Sequence, residues 1–183
     1  MKCNAESLLR LGRLLAATTG LVGCIISPTP ARAFDLASGL GFVEEGDDRA
    51  QTVALLHMGL QNQWYSRFYL WGRSFGPVRE TNGIVAIGRQ ASVFSSKSLF
   101  ASAGLSLMAN ETKITFKDYP EDNSSYTNTN VGLILGLRYE LFSTKRVSVA
   151  ASWDSHIYAA GTAAIFLVTG RKQILGLTAG IML

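Results

Sequence analysis

Cysteine is nearly absent, and where it occurs is informative: Cys3 and Cys24 both lie within the first 33 residues, so the rest of the chain has no thiol. Disulfide frameworks, cysteine-ligated metal sites and cysteine nucleophiles are excluded together from that part. Proline is as scarce. After residue 33 only Pro77 and Pro120 remain, both in polar stretches that read as loops. Nor does the later chain contain an apolar run long enough to span a bilayer as a helix. A strong charge imbalance is missing as well. Lys2, Arg10, Arg13 and Arg32 against Glu6 place three of the four net positive charges in the first 33 residues. The remainder is almost neutral, which removes the usual support for a nucleic-acid partner. No glycine-rich phosphate loop or nucleotide fingerprint is present, and no cofactor is expected.

What the chain does contain begins with an address. Basic residues to Arg13, an apolar run over 14–26, the helix-breaking Ser27-Pro28-Thr29-Pro30 and the small-x-small Ala31-Arg32-Ala33 follow the order of a secretory signal peptide, with cleavage expected after Ala33. Residues 34–183 are expected as one domain. Leu21-Val22-Gly23-Cys24 resembles a lipoprotein lipobox, which would instead lipidate Cys24.

The body has hydrophobic residues in alternation, the period of strands. Eight segments are expected, over 34–43, 52–60, 64–74, 83–94, 99–109, 129–142, 147–156 and 173–183. Long polar stretches at 44–51, 75–82 and 110–128 alternate with tight connections at 61–63, 95–98 and 143–146. That asymmetry implies up-and-down antiparallel order with one decorated end and one trimmed end. The apolar stretch at 159–169 would make a ninth strand and leave an odd count, so it is expected within a fourth long loop, either as a short helix stopped at Gly170 or as a strand extension.

The two faces of these strands separate a soluble barrel from a membrane one. Val131, Leu133, Leu135, Leu137, Tyr139 and Leu141 oppose Asn130, Gly132, Ile134, Gly136, Arg138 and Glu140. Likewise Leu175, Leu177 and Ile181 oppose Gly176, Thr178 and Gly180. Glycine, threonine and charge make a poor hydrophobic core but a good crowded lumen, so the large apolar face is expected to meet lipid. Trp64, Phe68, Tyr139 and Trp153 near strand ends suit interfacial girdles.

In its leader, its eight alternating segments and its apolar last strand, the chain resembles the small eight-stranded outer-membrane β-barrel proteins of Gram-negative bacteria. The resemblance implies an all-β, antiparallel, up-and-down transmembrane barrel in the outer membrane, with membrane lipid, lipopolysaccharide and the barrel assembly machinery as partners. Members usually end in Phe or Trp; this chain ends in Leu183.

By alternation His57, Arg67, Arg73, Gln90, Arg138, Glu140, Asp154 and His156 fall mostly on lumen faces, where buried charges must be paired. A packed polar network is expected, because eight strands leave an interior just filled by side chains. The one catalytic alternative is Ser152 or Ser155 as nucleophile, His156 as base and Asp154 or Glu140 as orienter, in a lipid-A-directed acyl hydrolase. Same-face neighbours on one strand stand about 6.5–7 Å apart, too far to close a triad among themselves. His57 and His156 without an acidic cluster are weak metal ligands, and no metal is expected. Glu44, Glu45, Asp47, Asp48, Asp118, Glu121 and Asp122 make the decorated end acidic, and solvation is their expected role. The favoured function is non-enzymatic, structural or surface-interactive through the loops. A soluble lipocalin-like carrier of an apolar ligand is the remaining rival.

Overall fold

The computed structural model describes residues 35–45, 50–93, 98–116, 119–158 and 170–182. Eight strands run in chain order: β1 (Asp35–Glu45), β2 (Gln51–Gly59), β3 (Trp64–Phe75), β4 (Val78–Ser92), β5 (Leu99–Ile114), β6 (Ser124–Ser143), β7 (Val147–Tyr158) and β8 (Gly170–Met182). Each pairs antiparallel with its chain neighbours, and β8 returns to β1, so the sheet closes into an up-and-down barrel. Closure leaves no free edge between first and last strands, which is how an all-β chain satisfies its backbone without covering layers.

All eight expected segments are strands. Two polar stretches expected as long loops are largely strand. Residues 75–82 form a hairpin in which Phe75 faces Val78 across the two-residue turn Gly76-Pro77. Gly76 there adopts φ 58°, a left-handed conformation that glycine takes without a steric penalty. Of 110–128, β5 continues to Ile114 and β6 starts at Ser124. These rungs lie beyond the apolar belt of the barrel, polar residues predominate on both of their faces, and the sequence alternation that marks a strand is lost there. Thr115 N donates to Pro77 O at 2.9 Å, tying this hairpin to its neighbour. The segment 159–169, expected as a fourth long loop with a helix or strand extension, lies outside the described residues, as do residues 1–34, which include the leader expected over 1–33.

The tight end is built from local hydrogen bonds. Gln61–Gln63 makes one 3-10 turn, with Asn62 at φ 58° in the region asparagine tolerates. Between β6 and β7, Thr144 Oγ1 accepts from Val147 N at 3.0 Å, and Thr144 N donates to Val147 O at 2.8 Å. A bulge between Glu140 and Phe142 shifts the β6–β7 register just above this turn.

Large apolar side chains point outward. Leu40, Phe42, Leu70, Val85, Ile87, Leu105, Leu107, Leu133, Leu137, Leu175 and Leu177 are all exposed, while alternate positions on the same strands are buried. The interior has an apolar layer that includes Val53, Leu55, Tyr69, Trp71, Ile84, Ile134 and Ile174. Beneath and beside it lie charges.

Candidate functional site: a charged lumen

The face of β3 that carries Tyr65, Arg67, Tyr69, Trp71 and Arg73 turns inward, so one strand delivers two guanidiniums and three aromatic rings to the lumen. Arg67 is the hub. Its Nη1 hydrogen-bonds Asp154 Oδ1, its Nε donates to His57 Nδ1 at 3.2 Å, and its guanidinium carbon sits 4.4 Å from the Tyr65 ring centre. Tyr69 donates its hydroxyl to the second oxygen of Asp154 at 2.8 Å. Asp154 is fully buried, and a carboxylate there is sustained by these two partners together.

A second pair lies on the far side of His57. Arg138 Nη1 donates to Asp35 Oδ2 at 3.0 Å and stands 2.8 Å from His57 Nε2. A neutral imidazole has one acceptor nitrogen, so it takes a hydrogen bond from only one of the two guanidiniums at a time. Asp35 Oδ2 stands 3.9 Å from Nε2, beyond hydrogen-bond distance. His57, on β2, therefore links two ion pairs drawn from four other strands, β3 with β7 and β6 with β1. A cavity of about 10 Å³, bordered by His57, Arg67, Tyr69 and Arg138, is about the size of one water.

Gly136 makes the Arg67–Asp154 contact sterically feasible. A Cβ there would stand 2.0 Å from Asp154 Oδ1, 2.8 Å from Ser102 Oγ and 3.0 Å from Arg67 Nη1. Gly136→Ala is expected to lower the unfolding free energy by roughly 1–3 kcal/mol through overpacking, measured by urea titration in detergent micelles. A change below about 0.5 kcal/mol would mean that the pair has room to move.

The other expected lumen residues scatter along the axis. Glu140 is buried near the tight end. Gln90 is half-buried, and its Oε1 meets no partner among the described residues. Arg73 bonds Glu80 at 2.5 Å at the mouth. His156 is buried edge-on to Tyr69, ring centres 5.0 Å apart, and neither ring nitrogen meets a hydrogen-bond partner among the described residues. Lumen residues outside the expected set include Asp35, Tyr65, Tyr69 and Lys172, the last 5.2 Å from the Trp71 ring centre. Alternation carried the signal for three of these, since Tyr65 and Tyr69 share a face with Arg67 and Asp35 opposes Leu36, whereas Lys172 precedes the expected last strand, which β8 extends to Gly170.

The hydrolase constellation is not assembled. Asp154 is occupied by Arg67 and Tyr69, while His156 receives no bond from either serine. Ser155 points to the outer face, where its Oγ accepts from Arg171 Nε at 3.0 Å, so it cannot share a site with His156. Among the described residues no group of three or more His, Asp or Glu side chains could hold a metal ion.

A closed eight-stranded barrel with an apolar exterior, a charged filled lumen and tight turns at one end is the fold of the small outer-membrane barrels. The chain is similar to Neisserial surface protein A, with a TM-score of 0.54 and 12% identity over 85% of this chain and 100% of that one. It is also similar to the N-terminal β-barrel domain of Pseudomonas aeruginosa OprF, with a TM-score of 0.52 and 14% identity over 82% of this chain and 98% of that one. No family model and no curated protein matches the chain.

Proposed function

We propose that this protein is a non-enzymatic outer-membrane barrel, exported by a leader cleaved after Ala33, whose extracellular hairpins perform a structural or surface-interaction role. The observation that carries this reading is the inversion of the barrel: exposed leucines outside, paired charges inside. A soluble carrier of an apolar ligand needs the opposite, an apolar interior with free volume, and the cavity between the ion pairs is about 10 Å³. A conduction path is disfavoured by the same packing. Lipid and lipopolysaccharide would surround the outer belt, and the assembly machinery would deliver the chain through its apolar last strand.

The orientation follows from hairpin height: β3–β4 and β5–β6 extend furthest at the end opposite both termini, which is placed outside, and the termini with the short connections at 60–63 and 144–146 are placed in the periplasm. Protease added to intact cells is expected to cut within 115–123, between the end of β5 and the start of β6, and to spare 95–98. Cleavage confined to the tight end would reverse the orientation. Recovery of the mature protein as a soluble periplasmic species, without heat-modifiable gel mobility, would remove the membrane reading altogether.

A further inference from the structure

Strands β3 to β6 rise above the apolar belt, and their inner faces form a wall beside the barrel mouth. One rung of that wall carries Trp71, Asn82, Asn110 and Asn128 side by side across the four strands. The next rung outward carries Arg73, Glu80, Thr112 and Tyr126. The amides form a chain, with Thr112 Oγ1 donating to Asn110 Oδ1 at 3.1 Å and Asn110 Nδ2 donating to Asn82 Oδ1 at 2.6 Å. The chain ends in the open. Asn128 and Tyr126 are exposed, and among the described residues neither side chain has a hydrogen-bond partner. At the foot of the mouth the carbonyl oxygens of Asn130 and Gln51 are buried acceptors with no donor among the described residues.

We infer that this wall is a binding site for an extracellular oligosaccharide without acidic groups. Carboxamides present a donor and an acceptor in one plane, which suits neighbouring ring hydroxyls, each both donor and acceptor. Asn82 is buried and braces Asn110, which leaves Asn110 and Asn128 as the accessible amides, about 4.8 Å apart by strand spacing and close to the advance of one hexopyranose unit along a chain. Tyr126 supplies an exposed ring for the C–H face of a sugar, beside a rung of polar groups, as binding sites combine one aromatic surface with a few placed polar atoms. Charge decides against sulfated or phosphorylated glycans. Arg73 is held by Glu80, and Lys172 is buried against Trp71 and Tyr158, so among the described residues no cation of the wall awaits an anion. Position decides the source. The wall faces the mouth, whereas sugars of the surrounding lipopolysaccharide flank the opposite, lipid-facing side, so the ligand arrives from the medium or from another surface.

This inference rests on the extracellular placement proposed above, and the test separates the two. The mature protein, folded in detergent micelles, is applied to an array of neutral, sialylated and sulfated glycans with lipopolysaccharide core oligosaccharide alongside. Binding to neutral glycans is expected, weakened about tenfold or more by Tyr126→Ala and by Asn128→Ala, as for truncation of a central contact. Lys113→Ala, on the outer face of the same hairpin, should leave it unchanged. Heat-modifiable mobility of each variant shows that the barrel has formed. Binding only to sulfated glycans, binding only to core oligosaccharide, neutral binding indifferent to Tyr126 and Asn128, or no binding would each overturn the inference. Failure here with protease cleavage still confined to 115–123 leaves the surface placement standing; cleavage at the tight end removes both.

Discussion

Asp154→Ala is expected to destabilise the folded barrel by about 3–5 kcal/mol, because it strands the Arg67 guanidinium in an interior that cannot hydrate it. Arg67 is 3% exposed and Asp154 is fully buried, so neither charge can turn to water when its partner is removed. The Tyr69 hydroxyl loses its acceptor in the same step. Reversible urea unfolding in phospholipid vesicles, followed by tryptophan fluorescence, measures the loss. Pairing Asp154→Leu with Arg67→Met is expected to recover most of it, since a buried ion pair replaced as a unit by apolar groups is often neutral. A single substitution costing less than about 1 kcal/mol would show that water reaches Arg67 and that the lumen is not sealed at this level.

Leu40→Arg tests the outside of the barrel as Asp154→Ala tests the inside. Leu40 is 64% exposed, flanked across β2 and β8 by Ala54 and Leu177. If water covers that surface, a charged replacement there stays within about 0.5 kcal/mol of the parent. If hydrocarbon covers it, an arginine near the middle of the belt costs about 2–4 kcal/mol. The larger value is expected, read from unfolding out of vesicles. A cost near zero with the barrel demonstrably inserted would place Leu40 at the interface, and so move the belt along the strands. The outcome also bears on Arg89, an outward-facing arginine at the tight end. Its guanidinium carbon lies 5.9 Å from the Trp64 ring centre, an arrangement suited to the interfacial rim, where such charges are tolerated.

The contrast between strands β6 and β4 shows how much of the fold could be read directly. On β6 the alternation of Leu133, Leu135 and Leu137 with Ile134, Gly136 and Arg138 is complete, and the expected span lies wholly within the strand. On β4 the alternation begins only at Gly83, and the five residues before it, Val78 to Asn82, read as loop although they are paired on both sides. Alternation is a record of asymmetric surroundings. Where polar residues stand on both faces of a strand the record is blank, and hydrogen bonding to neighbouring strands supplies the structure instead.

The same division holds at the site. That Arg67, Arg138, Asp154 and His57 face inward follows from their own strands, because successive side chains on a strand point to opposite sides. Which of them meet does not. Asp154 shares a face with His156 at a spacing too long for a direct bond, and its partner is Arg67, 87 positions earlier in the chain. Asp35, at the start of β1 on the face opposite Leu36, pairs with Arg138, 103 positions later. Ser155 was weighed as a partner of His156 and stands on the other side of the wall.

By itself the sequence determined the strand count, the antiparallel order, the apolar exterior and the polar lumen, because each is set by a local period of two and by loop lengths. Tertiary structure alone decided the pairs in the lumen, the clearance at Gly136 and the row of asparagines at the mouth. Those depend on the stagger of eight tilted strands around a closed circle, and a one-residue change of register would send every side chain of a strand to the other face without altering a letter of the sequence.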